Sequence, residues 1–381
     1  MIPNFTRELK ADLVQRGFSR RNLVRMTTLL GAGAALPFYN EPALAQLSNI
    51  GRLSPDAVKI NANENPMGPC PEAAEAMHSV ISKGGRYLYE ETGDFAKTLA
   101  TQEGVKPNYV LPFPGSSDPL HRAVLAFTSP EKPFVMGDPG YEAGQRAANF
   151  IGSKAIRVPL TKTYAHDVKA MAAASPNAGL IYICNPNNPT GTITPRADIE
   201  WLIANKPAGS VLLLDEAYIH LSNETFGSEF VAQDKDVIIL RTFSKLYGMA
   251  GLRAGAAIGR PDLLAKITSY GAGALPVTGM IGAHASLKVK TLIAERRKII
   301  GDIREDCFSW MTSKNYSFIP SVSNKFMVDV KRPGMEVVTA MAARNVYIGR
   351  VWPAVPTHVR VTVGTREEMA KFKTAFAEVM A

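Results

Sequence analysis

Cysteine is scarce in this chain. Cys70, Cys184 and Cys307 are the only three in 381 residues. They cannot build a disulfide framework and lack the spacing of a zinc site, so no metal is expected. Charged residues make up only 20%, against 46% hydrophobic, which excludes wholesale disorder and leaves enough apolar material for a sizeable core. Basic runs with interleaved aromatics are missing, so the formal charge of +9 does not point to nucleic acid. No segment has the length and apolarity of a membrane span, which takes about 20 residues. At roughly 100–200 residues per domain, the length suggests two domains.

The first residues are built differently from the rest. Arg7, Lys10, Arg16, Arg20, Arg21 and Arg25 face only Glu8 and Asp12 before residue 26. Thirteen uncharged residues follow, Met26–Phe38, and then a small-x-small site at Ala43 and Ala45. Basic, apolar, then cleavable is the order of a secretory signal. Within it, Ser19-Arg20-Arg21-Asn22-Leu23-Val24-Arg25 resembles the twin-arginine export motif. Residues 1–45 are therefore expected to be a twin-arginine signal peptide. They would be read by the twin-arginine machinery and send a folded protein to the periplasm. Without them 37 basic and 31 acidic residues remain, a mild +6.

Beyond residue 46 short apolar strands alternate with helical patterns. Strands are expected at Val110–Phe113, Phe134–Met136, Ile156–Val158, Leu180–Cys184, Val211–Asp215, Val237–Thr242 and Ala254–Ile258. Helices are expected at Ser117–Phe127, Tyr141–Phe150, Val168–Ala174 and Ala197–Asn205. Such alternation predicts an α/β large domain around a mostly parallel seven-stranded sheet, over 76–275. A long helix Met280–Trp310, strands Lys325–Val330 and Val359–Val363 and a last helix Glu367–Met380 predict a smaller α/β C-terminal domain, 276–381. An N-terminal arm, 46–75, is expected to join it.

Three motifs fall at the ends of expected strands. Asn185-Pro186-Asn187-Asn188-Pro189-Thr190-Gly191 follows one, and Asp215-Glu216-Ala217-Tyr218 closes the most apolar one. The third is Ser244-Lys245, eight residues before Arg253. Read alone, Lys245 is a surface lysine, the Asn-Pro run a turn and Asp215 a helix cap. Together, at the strand ends where open α/β sheets bind ligands, they form a specific set. They resemble the fold-type I pyridoxal-phosphate enzymes of the class I/II aminotransferase group. Asn61-Ala62-Asn63-Glu64-Asn65-Pro66 and Val359-Arg360-Val361-Thr362-Val363-Gly364-Thr365-Arg366-Glu367-Glu368 are similar to the histidinol-phosphate branch.

The resemblance implies a role for each matching residue. Lys245 would form the Schiff base with pyridoxal 5'-phosphate and shuttle the proton. Asp215 would pair with the ring nitrogen, and Asn188 and Tyr218 would bond the phenolic oxygen. Ser116 and Ser117, opening a helix after a strand, would join Ser244 and Arg253 around the phosphate. Tyr141 would stack on the ring. Tyr87 would reach the phosphate of a neighbouring subunit, which implies a homodimer with shared sites. Arg360 would clamp the substrate carboxylate, with Arg350 as a second arginine. Cys184 is expected to be core packing.

An amino acid and a 2-oxo acid are the expected substrates. The expected activity is a periplasmic aminotransferase, because an exported copy would meet little histidinol phosphate. The alternatives are a decarboxylase or lyase on the same scaffold, and histidinol-phosphate aminotransferase proper.

Overall fold

The computed structural model describes residues 5–32, 44, 54–271 and 275–381. Its centre is a seven-stranded sheet. The strands are β2 (Val110–Phe113), β3 (Phe134–Asp138), β4 (Ala155–Pro159), β5 (Leu180–Cys184), β6 (Val211–Asp215), β7 (Val237–Thr242) and β8 (Gly255–Gly259), numbered after β1 (Val58–Ile60). Their spatial order is β2-β8-β7-β6-β5-β3-β4. β3, β4, β5, β6 and β7 pair in parallel, and β8 runs antiparallel to both of its neighbours. The mostly parallel sheet of the fold-type I enzymes is therefore present. Every residue of β5, β6, β7 and β8 is buried, as expected of strands covered by helices on both faces.

This direction pattern positions the chemistry. β5, β6 and β7 end on one edge of the sheet, at Cys184, Asp215 and Thr242. Because β8 is reversed, its first residue meets that edge, with Gly255 opposite both Thr242 and Phe113. The Asn-Pro turn, Asp215, Lys245, the Gly115 turn and Arg253 are thus delivered to one place by five different strands.

A three-stranded antiparallel sheet holds β9 (Ser317–Ile319), β10 (Lys325–Asp329) and β12 (His358–Thr362) in the order β12-β10-β9. β1 pairs in parallel with β11 (Val346–Ile348), Val58 opposite Val346. The single helix expected over Met280–Trp310 is two helices, Val277–Lys288 and Leu292–Ser313. Val289 leaves helical backbone at ψ 95. Gln102 donates to the Leu287 carbonyl at 2.6 Å, taking an acceptor that a continuing helix would use itself. The short strands β1, β9 and β11 carry too few alternating residues to announce themselves.

Two N-terminal helices, Arg7–Gln15 and Arg20–Ala32, pack on this body. Leu13, Phe18, Met26 and Leu29 are buried, while Arg20 and Arg21 are exposed. Arg16 Nη2 donates to the carbonyls of Leu125, Ala126 and Thr128 at 2.7, 3.1 and 2.7 Å. These are the unpaired acceptors at the end of the Ser117–Phe127 helix, where a cation is favoured. Asn22 Nδ2 donates to Ile151 O in the same way, at 2.5 Å. The segment expected as an address is thus packed into the enzyme as far as residue 32. Ala43 and Ala45, with residues 33–38 of the expected apolar stretch, lie outside the described residues. No helix among the described residues is long and apolar enough to cross a membrane.

Candidate active site

The strand ends line a cleft that opens to solvent. Nine of the residues singled out in the sequence line it: Ser116, Ser117, Tyr141, Asn188, Asp215, Tyr218, Ser244, Lys245 and Arg253. Ala62, Glu64, Cys184, Ala217, Thr242 and Ala250 complete the wall.

At one end stands an anion cradle. Gly115 adopts φ +87, and a Cβ there would meet Arg253 Nη2 at 2.2 Å, so only glycine lets the guanidinium lie against the turn. Arg253 donates to Ser244 Oγ (3.3 Å) and to the carbonyls of Ala250 (2.8 Å) and Pro114 (3.1 Å). All three partners are neutral, and burial lowers its pKa. A half-buried guanidinium with neutral partners, beside the first turn of the Ser117–Phe127 helix, fits a phosphate.

At the other end lies Asp215. Its Oδ2 accepts from the Tyr182 hydroxyl at 2.8 Å and its Oδ1 from the Ala217 amide at 3.1 Å. Burial raises its pKa above the ordinary carboxylate value. The bonds from Tyr182 and Ala217, with the charges of Lys245 and Lys325, pull the other way and lose. A carboxylate in that condition favours a cationic partner, and a protonated pyridine nitrogen is one. Between the two ends, Lys245 Nζ sits 3.5 Å from Ala62 O and 5.6 Å from the centre of the Tyr218 ring.

Asn63 was not assigned a role from sequence, although it stands in one of the quoted motifs. It is fully buried at φ 54, and its Nδ2 donates to Tyr218 Oη at 3.0 Å. Its backbone N–H donates to Thr362 Oγ1 at 3.0 Å. The N-terminal motif and β12 therefore hold the phenol in place together. Tyr182 was missed because a tyrosine inside Leu-Ile-Tyr-Ile-Cys reads as core. Its one polar atom needs a partner, and that partner is Asp215.

Arg360 is fully buried on β12 and donates to Asn188 Oδ1 (2.9 Å) and Asn61 O (2.6 Å), beside the cleft wall. Arg350 does not line the cleft. It pairs with Glu142 and lies over the Trp352 ring, 4.9 Å from its centre. Tyr87 is also outside the cleft of its own chain, 80% exposed and stacked on Tyr89. Cys184 is buried yet touches the cleft, and burial pushes its thiol pKa far up, which makes it inert.

Behind the cleft Arg241 joins Glu103 and Glu216, all three buried. Burial alone would raise Glu103, but the Arg241 guanidinium overrides it and holds the carboxyl low. Among the described residues no cluster of side chains suits a metal ion.

Pyridoxal phosphate, when bound, supplies an electron-accepting ring and an aldehyde carbon. This chain's residues do the rest. Lys245 would offer an amine and move a proton at Nζ, and Asp215 would accept a hydrogen bond from a protonated ring nitrogen. Asn188 and Tyr218 would bond the ring hydroxyl, and Arg253 with the Gly115 turn would take the phosphate.

Residues 55–376 match the family model for aminotransferase class I and II. The histidinol-phosphate aminotransferase of Moorella thermoacetica is 31% identical over 336 residues, 86% of each chain. A putative histidinol-phosphate aminotransferase from Erwinia carotovora atroseptica superposes with a TM-score of 0.82 at 30% identity, covering 87% of this chain and 98% of that one. The Sinorhizobium meliloti histidinol-phosphate aminotransferase, solved with pyridoxal-5'-phosphate, gives 0.78 at 24% identity, covering 88% and 96%. With the cradle, the buried aspartate and the lysine in one cleft, the chain belongs to the class I and II aminotransferases and is a pyridoxal-phosphate-dependent transferase.

Proposed function

We propose that the enzyme moves the amino group of histidinol phosphate to 2-oxoglutarate. The observation that carries this reading is the likeness, over most of both chains, to histidinol-phosphate aminotransferases. It is supported by two buried arginines, Arg350 and Arg360, since both substrates bear anions that need such partners. Arg360 would take the carboxylate of glutamate or 2-oxoglutarate, and Arg350 the group at the far end. The test is a screen of amino donors, read as conversion of the bound cofactor to its amine form and as glutamate produced. Conversion by histidinol phosphate is expected. Conversion by other amino compounds only would sink the substrate, and release of carbon dioxide without an oxo product would indicate a decarboxylase. Lys245→Ala is expected to cost at least a hundredfold in turnover, the low end of what a positioned proton-transfer group contributes (about 10²–10⁴-fold).

A second reading follows from Ser19-Arg20-Arg21 with its apolar sequel. On it, the first 45 residues direct export by the twin-arginine route, and the enzyme serves a different amino compound in the periplasm. Cell fractionation with Arg20→Lys/Arg21→Lys decides it. Periplasmic enzyme that disappears in the double variant supports export, whereas an enzyme confined to the cytoplasm ends that reading.

The proposal includes a homodimer with shared sites, supported by the exposed Tyr87–Tyr89 pair. Tyr87→Ala is expected to loosen cofactor binding severalfold on dilution. Unchanged retention in a monomer at every concentration would end that part.

A further inference from the structure

Lys325 is the first residue of β10, and its side chain is fully buried. A lysine is almost never fully buried unless something holds its charge. Here the ammonium lies over the ring of Tyr218, 3.1 Å from its centre, and donates to Ser323 Oγ at 2.9 Å. Lys245 Nζ lies 5.6 Å from the centre of that same ring. Two ammonium groups therefore lie near one phenol, one from the large-domain lysine loop and one from the small antiparallel sheet.

The groups around Lys325 come from several elements. Asp215 at the end of β6 and Cys184 at the end of β5 both feel its charge. Thr362 lies opposite it in register on β12, and Arg360 stands two residues earlier on that strand. Asp215 is the one carboxylate among them, and burial already disfavours its ionised form. Two like charges sharing a buried site destabilise each other, and a cation against a phenol ring favours negative charge on its oxygen. Lysines are made nucleophilic at neutral pH in this way, by a second cation nearby.

We propose that Lys325 is a positioning residue of the transamination site, whose buried charge, acting across the Tyr218 ring, keeps Lys245 Nζ unprotonated and Tyr218 fixed against the cofactor. Lys325 does not line the cleft and acts through Tyr218, which does. The proposal concerns the cofactor end of the cleft and stands whichever amino donor is used.

The experiment is a pH titration of the bound cofactor's absorbance in the holoenzyme without substrate. Lys325→Met removes the charge at similar length, Lys325→Gln removes it but keeps a donor for Ser323, and Lys325→Arg retains it. Both neutral variants are expected to load cofactor and to titrate about one pH unit higher than the unaltered enzyme, a tenfold change in proton affinity. Lys325→Arg is expected to stay within a few tenths of a unit. In the neutral variants kcat near pH 7 is expected to fall about tenfold while KM changes less than twofold. A folded, loaded neutral variant that titrates with the unaltered enzyme overturns the proposal. If one neutral variant does not fold, the other decides.

Discussion

Arg350 reaches across to Glu142, with Nη1 3.0 Å from one carboxylate oxygen and 3.2 Å from the other. Nearby, Trp352 Nε1 donates to Gly140 O at 3.0 Å. The loop after β11 is thereby fastened to the turn that carries Tyr141. If Arg350 takes a substrate anion, as proposed above, Glu142 competes for the same guanidinium. Removing its charge with Glu142→Gln is expected to lower KM for a substrate bearing a second anion by about tenfold, or ~1.4 kcal/mol. KM for a substrate with an uncharged side chain should stay within twofold. Steady-state kinetics on one substrate of each kind check both halves.

Tyr182→Phe removes the hydroxyl that donates to Asp215 Oδ2, one of the influences holding the Asp215 pKa down. Its loss should cost about 1 kcal/mol of stability. It should also move the acid limb of the kcat profile to higher pH, because Asp215 then needs less acid to become protonated. A pH–rate profile of the variant beside the unaltered enzyme reads the shift.

Three buried histidines set the behaviour in acid. Burial pushes His121 and His220 down to about 3 and His166 to about 4, from an ordinary 6.5. Between those values and 6.5 the unfolded chain binds protons that the folded one refuses. Stability is therefore fully present above about pH 6.5 and is lost as pH falls through that window, by up to about 1.4 kcal/mol per pH unit for each histidine. Urea midpoints at pH 7, 6 and 5 should fall progressively. Replacing His166 with Gln should make the fall shallower.

Arg16→Ala in the full-length protein takes away a cation that caps three helix-end carbonyls and donates to the Tyr270 hydroxyl at 2.8 Å. Arg16 is partly exposed, so about 1 kcal/mol is expected. That is a drop of roughly 1 °C in thermal midpoint, because the unfolding entropy grows with chain length. An unchanged midpoint would mean that the N-terminal helices contribute nothing to the folded enzyme.

The sheet and the cleft were legible in the sequence for a physical reason. β5, β6 and β7 are buried on both faces and therefore read as unbroken apolar runs. The polar residues that must sit at their ends stand out against that background. Asn188, Asp215 and Lys245 are visible in this way. What stayed hidden was contact between distant segments. Nothing local to Asn63 announces Tyr218, 155 residues away. Lys325 at the head of a short apolar strand looks like an ordinary strand-end lysine, and only the packing of β10 against Tyr218 makes it a buried charge. The N-terminal helices carry two patterns at once. Arg16, Leu13 and Met26 satisfy the pattern of an export signal and the requirements of a packed surface with the same residues.

The buried Glu103–Arg241–Glu216 group has a mechanical consequence. Glu103 closes the 15-residue helix Tyr89–Glu103, whose opposite end displays Tyr87 and Tyr89 to solvent. Arg241 clamps that helix end to Glu216, the residue after Asp215. The helix is thus a strut about 22 Å long, packed along its length through Phe95 and Leu99, clamped at Glu103 beside the strand that carries Asp215, and exposed at its tip. A load applied at Tyr87 by a neighbouring subunit would be borne at the clamp, one residue from Asp215. Replacing Glu103 with Gln would leave every cleft residue in the chain, yet would loosen the hinge on which the tip is held.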